Sequence, residues 1–300
     1  MISNRARKER FMTYNELFAA LCAAGIGDDG ECRREAALLA EHFGGIRASE
    51  LPYRRNEDME SLALQSALER RINREPLQYI LGEWEFFGLP FRVTPDCLIP
   101  RPDTELLVTT AMRLLPPKAH FADLGTGSGA VAVSILKNRP DVSATAADIS
   151  PCALAVAREN AKRHGTLERC TFICADMLSS DFFKRLPHPI DAVISNPPYI
   201  PTDELTPGKI QPELCFEPEL ALCGGKDGLD FYRQLIPRSA APGVLSEEGF
   251  VLFEVGAGEA QDVAQMGKNA GFFPQIFRDL GGIERAVLLS RKNHQNQKHC

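Results

Sequence analysis

The chain has 300 residues, 44% hydrophobic and 25% charged, enough for one large domain or two and within the range of a soluble globular protein. Its formal charge of −6 argues against a partner made mainly of nucleic-acid backbone, although a local basic patch, Arg70-Arg71-Ile72-Asn73-Arg74, is present. No apolar run approaches the roughly 20 residues of a membrane span, and the basic start MISNRARKER leads into no signal-type stretch, so the cytoplasm is the expected location. Nine scattered cysteines without paired spacing, and six His without metal spacing, point to neither a disulfide framework nor a metal site.

The first eighty residues read as helical. Tyr14, Leu17, Phe18, Leu21 and Cys22 fall at i, i+3, i+4, i+7 and i+8, behind a Thr13/Glu16 pair with capping-box spacing. Ala36, Leu39, Ala40 and Phe43 repeat the pattern until Gly44-Gly45. Leu64, Leu68 and Ile72 mark another helix ending near Arg74-Glu75-Pro76, and a small bundle over residues 1–82 is expected. The texture then changes: residues 84–93 are aromatic and β-branched around Gly88-Leu89-Pro90, and Ile99-Pro100-Arg101-Pro102 is rigid and non-helical. Residues 83–102 therefore read as a β-hairpin linker.

A helix over 104–115 opens a third region, 103–292, in which short apolar runs alternate with helical patterns. The runs are Phe121-Ala122-Asp123-Leu124, Ala144-Thr145-Ala146-Ala147, Thr171-Phe172-Ile173-Cys174, Ala192-Val193-Ile194 and Val251-Leu252-Phe253. Alternation of this kind predicts an α/β fold with a parallel, doubly wound sheet. Residues 275–280 and 285–289 flank Gly281-Gly282 and are expected to form an antiparallel hairpin closing one edge. The polar tail, 293–300, is expected to fray.

Between the first strand and its helix lies Gly125-Thr126-Gly127-Ser128-Gly129. Its glycines permit a tight turn and a close ligand approach, and the helix behind it offers free N–H groups. Asp148 ends the second strand, where a carboxylate can accept both hydroxyls of a ribose. Asp176, ending the third with Met177 beside it, can face an adenine amino group. Each acid alone is as well explained as a turn or helix cap; together at three successive strand ends they favour a nucleoside site. Read loosely, the loop also satisfies a dinucleotide fingerprint, so a nucleotide-dependent oxidoreductase stays open. Asp123, just ahead of the loop, suits a cofactor without phosphate and with an ammonium group, which leans the reading toward S-adenosylmethionine.

The fourth strand runs into Asn196-Pro197-Pro198-Tyr199, which belongs beside that cofactor if the sheet is open and parallel. A planar –NH₂ acceptor, amide or aromatic amine, has a delocalised lone pair, and its deprotonation near neutral pH is out of reach. Two hydrogen-bond acceptors, the Asn196 side-chain carbonyl and the Pro197 backbone carbonyl, can instead hold both N–H bonds and aim the lone pair at a methyl carbon. Pro198 fixes the turn, and Tyr199 can lay its ring against the planar group. A purely structural turn is the competing reading. An oxidoreductase leaves these four residues unexplained.

With these motifs in place, the sequence resembles the S-adenosylmethionine-dependent protein-(glutamine-N5) methyltransferases of the HemK/PrmC type. The stretches that carry the resemblance are REPLQYILGEWEFFGLPFRV, LIPRPDTELLV, DLGTGSGA, ISNPPYIP, FEPELAL and GGKDGLDFYRQLI. It implies a class I, Rossmann-like fold with a mostly parallel seven-stranded sheet, and an N-terminal helical domain that binds the protein substrate. The implied cofactor residues are Gly125 to Gly129, Asp148, Asp176, Met177 and Asn196, and the glutamine site is Asn196 to Tyr199. The implied reaction modifies the glutamine of the Gly-Gly-Gln motif in peptide chain release factors, with no direct nucleic-acid or membrane requirement. Ribosomal-protein glutamine and adenine in DNA or RNA are the competing acceptors. Relatives commonly carry an Arg near the position of Cys215.

Overall fold

A computed structural model describes residues 11–206 and 208–292; the start MISNRARKER and the tail at 293–300 lie outside the described residues. The chain divides into two compact units, Met1–Gly82 and Glu83–Cys300.

The first unit is helical: α1 (Tyr14–Ala23), α2 (Asp29–Gly44), α3 (Leu51–Arg54), α4 (Leu62–Ile72) and α5 (Leu77–Leu81). Thr13 and Glu16 close a reciprocal capping box at the start of α1, and Asp28 and Ser61 cap α2 and α4. Gly45, at φ 68°, ends α2 in the left-handed conformation that glycine adopts without strain. Leu17, Leu21, Leu39 and Leu64 are fully buried between the helices. Each contributes about 1.5–3 kcal/mol, against about 1 kcal/mol for a cap, so packing outweighs capping here. Two charged groups also enter this core, Arg71 and Glu35, paired at 2.7 Å. The short α5 has no counterpart in the periodicity, because five residues are too few to show a 3.6-residue repeat.

The second unit opens with β1 (Glu83–Phe86) and β2 (Leu89–Arg92), an antiparallel pair turned by Phe87 and Gly88, both at positive φ. Phe87 is an uncommon residue for that conformation, and its N–H is held by Glu105 Oε1 at 2.9 Å. Phe86 and Phe91 join the apolar core of the larger sheet. A 3₁₀ turn at Pro102–Thr104 leads into α6 (Glu105–Leu114). The elements that follow are β3 (His120–Leu124), α7 (Ala130–Asn138), β4 (Ser143–Asp148), α8 (Pro151–Arg163), β5 (Cys170–Cys174) and β6 (Ile190–Ser195). The unit closes with α9 (Asp230–Ala240), β7 (Leu245–Glu254), α10 (Ala260–Asn269), β8 (Phe273–Arg278) and β9 (Glu284–Ser290).

Seven of these strands form one sheet in the order β5-β4-β3-β6-β7-β9-β8, parallel except where β9 runs against both of its neighbours. Alternate residues face opposite layers: Phe250 and Leu252 pack with α6 and α7, and Val251 and Phe253 with α9 and α10. The inner strands β3, β4 and β6 are buried on both faces and so appear in the sequence as largely apolar runs, whereas the edge strand β5 is partly exposed. The β8–β9 hairpin closes one edge as expected, with β8 outermost. Among the described residues no helix is long and apolar enough to cross a membrane.

Candidate active site

The chain leaves β3 toward β4 on one side and returns through β6 on the other, so a crevice opens between the carboxyl ends of β3 and β6. Ser195 fastens that seam, its Oγ donating to the Leu124 carbonyl at 2.6 Å. The glycine loop leaves β3 at this point. Gly127 stands at φ 55° with open space where a side chain would project, so its backbone is exposed to a ligand. Gly129, at φ 81°, has Ala157 of α8 only 3.1 Å from where a Cβ would sit. Any larger residue there would push the loop off α8.

Asp123 does something other than its position in the sequence leads one to expect. Its carboxylate is buried beneath the loop, where Oδ2 accepts from Thr126 Oγ1 at 2.6 Å and from the Ala132 N–H at 3.2 Å. It forms no part of the cavity wall, so it braces the loop rather than meeting an ammonium group. Burial pushes this carboxyl up to about 6, partly opposed by those two donors. Thr126, Ser128 and Gly129 are likewise loop framework outside the wall. The Ser128 carbonyl accepts from Asn160 Nδ2 at 2.9 Å, and the same amide pairs with the backbone of Arg92 in β2.

A cavity of about 470 Å³ lies outside these strand ends, within the usual range for a small-molecule site. Gly125, Gly127, Asp148, Asp176, Met177, Asn196 and Pro198 all line it; Pro197 and Tyr199 do not. Asp148 accepts the Gly127 N–H on Oδ2 and the Ser150 N–H on Oδ1, each at 2.9 Å. A carboxylate offers about four lone-pair directions, so each oxygen keeps one for a ligand. Burial raises this carboxyl above its ordinary value, and the backbone N–H groups of Ser150, Gly127 and Ile149 oppose the rise. Asp176 closes a local turn by accepting the Leu178 N–H at 2.8 Å. The Pro95–Leu98 stretch ahead of the Ile-Pro-Arg-Pro segment, together with Ile149, Leu220 and Phe231, supplies wall that the strand-end rule did not find.

Asn196 sits where β6 ends. Its Nδ2 donates to Thr104 Oγ1 at 3.2 Å, and among the described residues no group donates to its Oδ1 or to the Pro197 carbonyl. Next to them is Glu254, at the end of β7, 1% exposed and with Oε2 unpartnered. The rule that finds Asp148 and Asp176, an acid closing a parallel strand, also finds Glu254 once applied to the fifth apolar run. Tyr199 is half-buried against the core on the α9 side, where burial raises its phenol well above the usual value and keeps it neutral.

The loop after β6 is clamped by a second glycine segment. Ile200 N–H donates to the Leu222 carbonyl at 2.9 Å, Gly224 N–H to Ile200 at 2.9 Å, and Thr202 N–H to Gly225 at 2.8 Å. Gly224 packs so closely that a Cβ would lie 2.6 Å from Tyr199 Cα. Arg101 forms an ion pair with the buried Glu217, which also accepts the Ile99 N–H at 3.0 Å. That pair ties the Ile-Pro-Arg-Pro segment to the turn carrying Pro218 and Leu220, while Glu105 serves the hairpin instead of the site.

The sheet order and the crevice at its switch point define a Rossmann-like methyltransferase, and a family profile described as the methyltransferase small domain matches residues 102–212. A solved methyltransferase from Pyrococcus furiosus shares this fold at 16% identity and a TM-score of 0.52, covering 76% of this chain and 98% of its own. A second profile, the PrmC N-terminal domain, matches residues 14–82. The release factor glutamine methyltransferase of Geobacter sulfurreducens is 44% identical over 230 residues, 76% of this chain and 78% of its own. That of Cereibacter sphaeroides is 40% identical over 272 residues, 89% and 93% of the respective chains. The chain belongs to the release factor glutamine methyltransferase family.

Proposed function

We propose that the protein transfers a methyl group from S-adenosylmethionine to the side-chain N5 of the glutamine in the Gly-Gly-Gln motif of peptide chain release factors. The observation that carries this reading is the Asn196 amide, turned inward through Nδ2 so that among the described residues Oδ1 and the neighbouring Pro197 carbonyl remain as two unpaired acceptors. An amide –NH₂ has two N–H bonds to offer.

The cavity wall suits this cofactor. It contains three carboxylates, Asp96, Asp148 and Asp176, and neither Lys nor Arg. Such a wall attracts a cationic sulfonium nucleoside and disfavours the pyrophosphate of a nicotinamide dinucleotide, which supports methyl transfer over hydride transfer. Asp148 would take the ribose hydroxyls and Asp176 the adenine edge, with Met177 and Ile149 as apolar flanks. When bound, S-adenosylmethionine supplies an electrophilic methyl carbon.

Asn196 Oδ1 and the Pro197 carbonyl hold the two N–H bonds of the glutamine amide, which directs the nitrogen lone pair at that carbon and excludes rotated approaches. As the C–N bond forms, the S–C bond breaks, and the nitrogen becomes acidic enough to lose a proton to water. No general base is required, consistent with a half-buried, neutral Tyr199. That ring would pack against the amide plane, with Pro198 holding the turn. The helical residues 1–82 would bind the protein substrate.

The test is transfer of labelled methyl from S-adenosylmethionine to a purified release factor, followed by peptide mapping. Label is expected on the Gly-Gly-Gln glutamine and is expected to vanish when that glutamine is Ala. No label on the release factor, with label entering a ribosomal protein when purified ribosomes are offered in its place, would overturn the reading. Asp148→Ala removes a charged acceptor worth about 1.5–3 kcal/mol per hydrogen bond, so with two ribose hydroxyls released S-adenosylmethionine should bind about 10²–10⁴-fold more weakly. Calorimetric titration measures that loss.

A further inference from the structure

Glu254 lies outside every role assigned so far, yet it is buried beside the residue on which the reaction turns. Ser195 and Phe253 are partners in the β6–β7 register, so Asn196 and Glu254 are the next residues along two adjacent strands. The Tyr232 hydroxyl donates to the Glu254 backbone carbonyl at 2.8 Å and fixes the strand end. Its side chain points into a space shared with Thr104 and Asn196, whose side chains hydrogen-bond the carboxyl, while among the described residues Oε2 has no partner. A carboxyl kept in such a place at the cost of desolvation calls for a reason.

The reason lies in a symmetry of the amide group. Asn196 could turn by 180° about its last torsion and present Nδ2, a donor, where the acceptor Oδ1 is needed; the two ends have nearly the same shape. Thr104 alone cannot prevent this, because a hydroxyl donates or accepts equally well. An ionised carboxylate only accepts. A Glu254 carboxylate that accepts from the Thr104 hydroxyl leaves that hydroxyl's lone pair for Asn196 Nδ2, the contact seen at 3.2 Å, and by accepting from Nδ2 itself it favours the same orientation.

We propose that Glu254 is the positioning residue of the site, its buried carboxylate fixing which way round the Asn196 amide stands, so that Oδ1 and not Nδ2 faces the glutamine. This rests on the reading of Asn196 given above. The groups facing Glu254 are Asp103 and Thr104 from the turn before α6, Asn196 and Tyr199 from the segment after β6, Tyr232 from α9 and Arg285 from β9. Burial pushes the Glu254 carboxyl up to about 7; Asp103 adds to the rise, and Thr104, Arg285 and Asn196 oppose it. Below that pH the group becomes a donor and no longer enforces the polarity of the relay. Methyl transfer should therefore fall with an acid limb near pH 7.

Glu254→Gln tests this, since it keeps the shape and neither ionises nor acts as acceptor only. Against wild type, with a release factor and S-adenosylmethionine, kcat at pH 8.5 should drop at least tenfold. The cofactor Kd should stay within about twofold, and the acid limb near pH 7 should disappear. The sign for stability runs the other way. An acid whose folded value lies above its unfolded value costs stability as pH rises from about 4.5 to about 7, and that cost persists above. The variant should thus melt at a higher temperature than wild type at pH 8.5, which separates lost catalysis from lost folding.

Wild-type kcat, an unchanged acid limb, or a parallel loss of Kd and Tm would each overturn the inference. Asn196→Ala measured alongside distinguishes the two readings. If that variant is fully active, the role of Asn196 fails and Glu254 falls with it. If it is inactive while Glu254→Gln matches wild type, the inference about Glu254 alone fails.

Discussion

Asn196→Ala is expected to lower kcat for methyl transfer to a release factor by about 10²–10³-fold while S-adenosylmethionine binds within a few-fold of the wild-type affinity. Removing one preorganised hydrogen-bonding group from a site where charge shifts in the transition state costs about 2.7–4 kcal/mol, which sets the scale. The Pro197 carbonyl survives the substitution, so one of the two N–H contacts remains and the loss stops short of the uncatalysed rate. Cofactor binding is protected because Asp148 and the glycine loop are held by their own contacts, Gly127 and Ser150 on Asp148 and Asn160 on Ser128, none of which passes through Asn196. Single-turnover kinetics with a titrated cofactor resolve the two quantities. A parallel loss of both would reassign Asn196 to cofactor binding.

The second large effect is expected at a residue that touches no ligand. Gly224→Ala places a Cβ 2.6 Å from Tyr199 Cα and 2.7 and 2.8 Å from the Gly228 carbonyl oxygen and Cα. All three neighbours are backbone, so no side chain can swing away; the loop after β6 must move or the glycine segment must. Overpacking of this kind costs about 1–3 kcal/mol, and backbone neighbours put it at the upper end. For a unit of roughly two hundred residues each kcal/mol lowers Tm by about 2–4 °C, so a fall of about 6–12 °C is expected by calorimetry. Because the displaced segment carries Tyr199, kcat should drop further than the affinity for S-adenosylmethionine. An unchanged Tm would show that the clamp is looser than its contacts indicate.

Much of this arrangement was legible in the sequence, and the reasons differ from residue to residue. Parallel strands buried on both faces leave continuous apolar runs, so the sheet and its order of motifs could be read from β3 to β7. Asp148 and Asp176 were findable because an acid at a strand's carboxyl end faces the crevice by topology. Asp123 obeys a different constraint: one residue before the strand ends, its side chain points beneath the loop, and a period of two decides its fate rather than proximity to the ligand. Thr104 and Glu254 were not legible at all as partners of Asn196, since they come from different elements and meet only through the register of β6 and β7. The glycine segment at Gly224 could be quoted as a motif, but what it clamps is a matter of backbone approach that no local pattern records.

The seam at the switch point also bears on when the site comes into existence. Ser195 meets Leu124 across 71 residues, and Asn196 meets Thr104 across 92. Closing a loop of that length costs about 4 kcal/mol in chain entropy on the (3/2)RT ln n rule, recovered only when the strands between have paired. Contacts of such long range form late and together. A chain emerging from synthesis therefore carries the glycine loop and Asp148 long before it has a floor for the acceptor. The cavity wall itself takes in Asn196, Pro198 and Phe231, so cofactor site and acceptor floor are completed together, once the far side of the sheet has arrived.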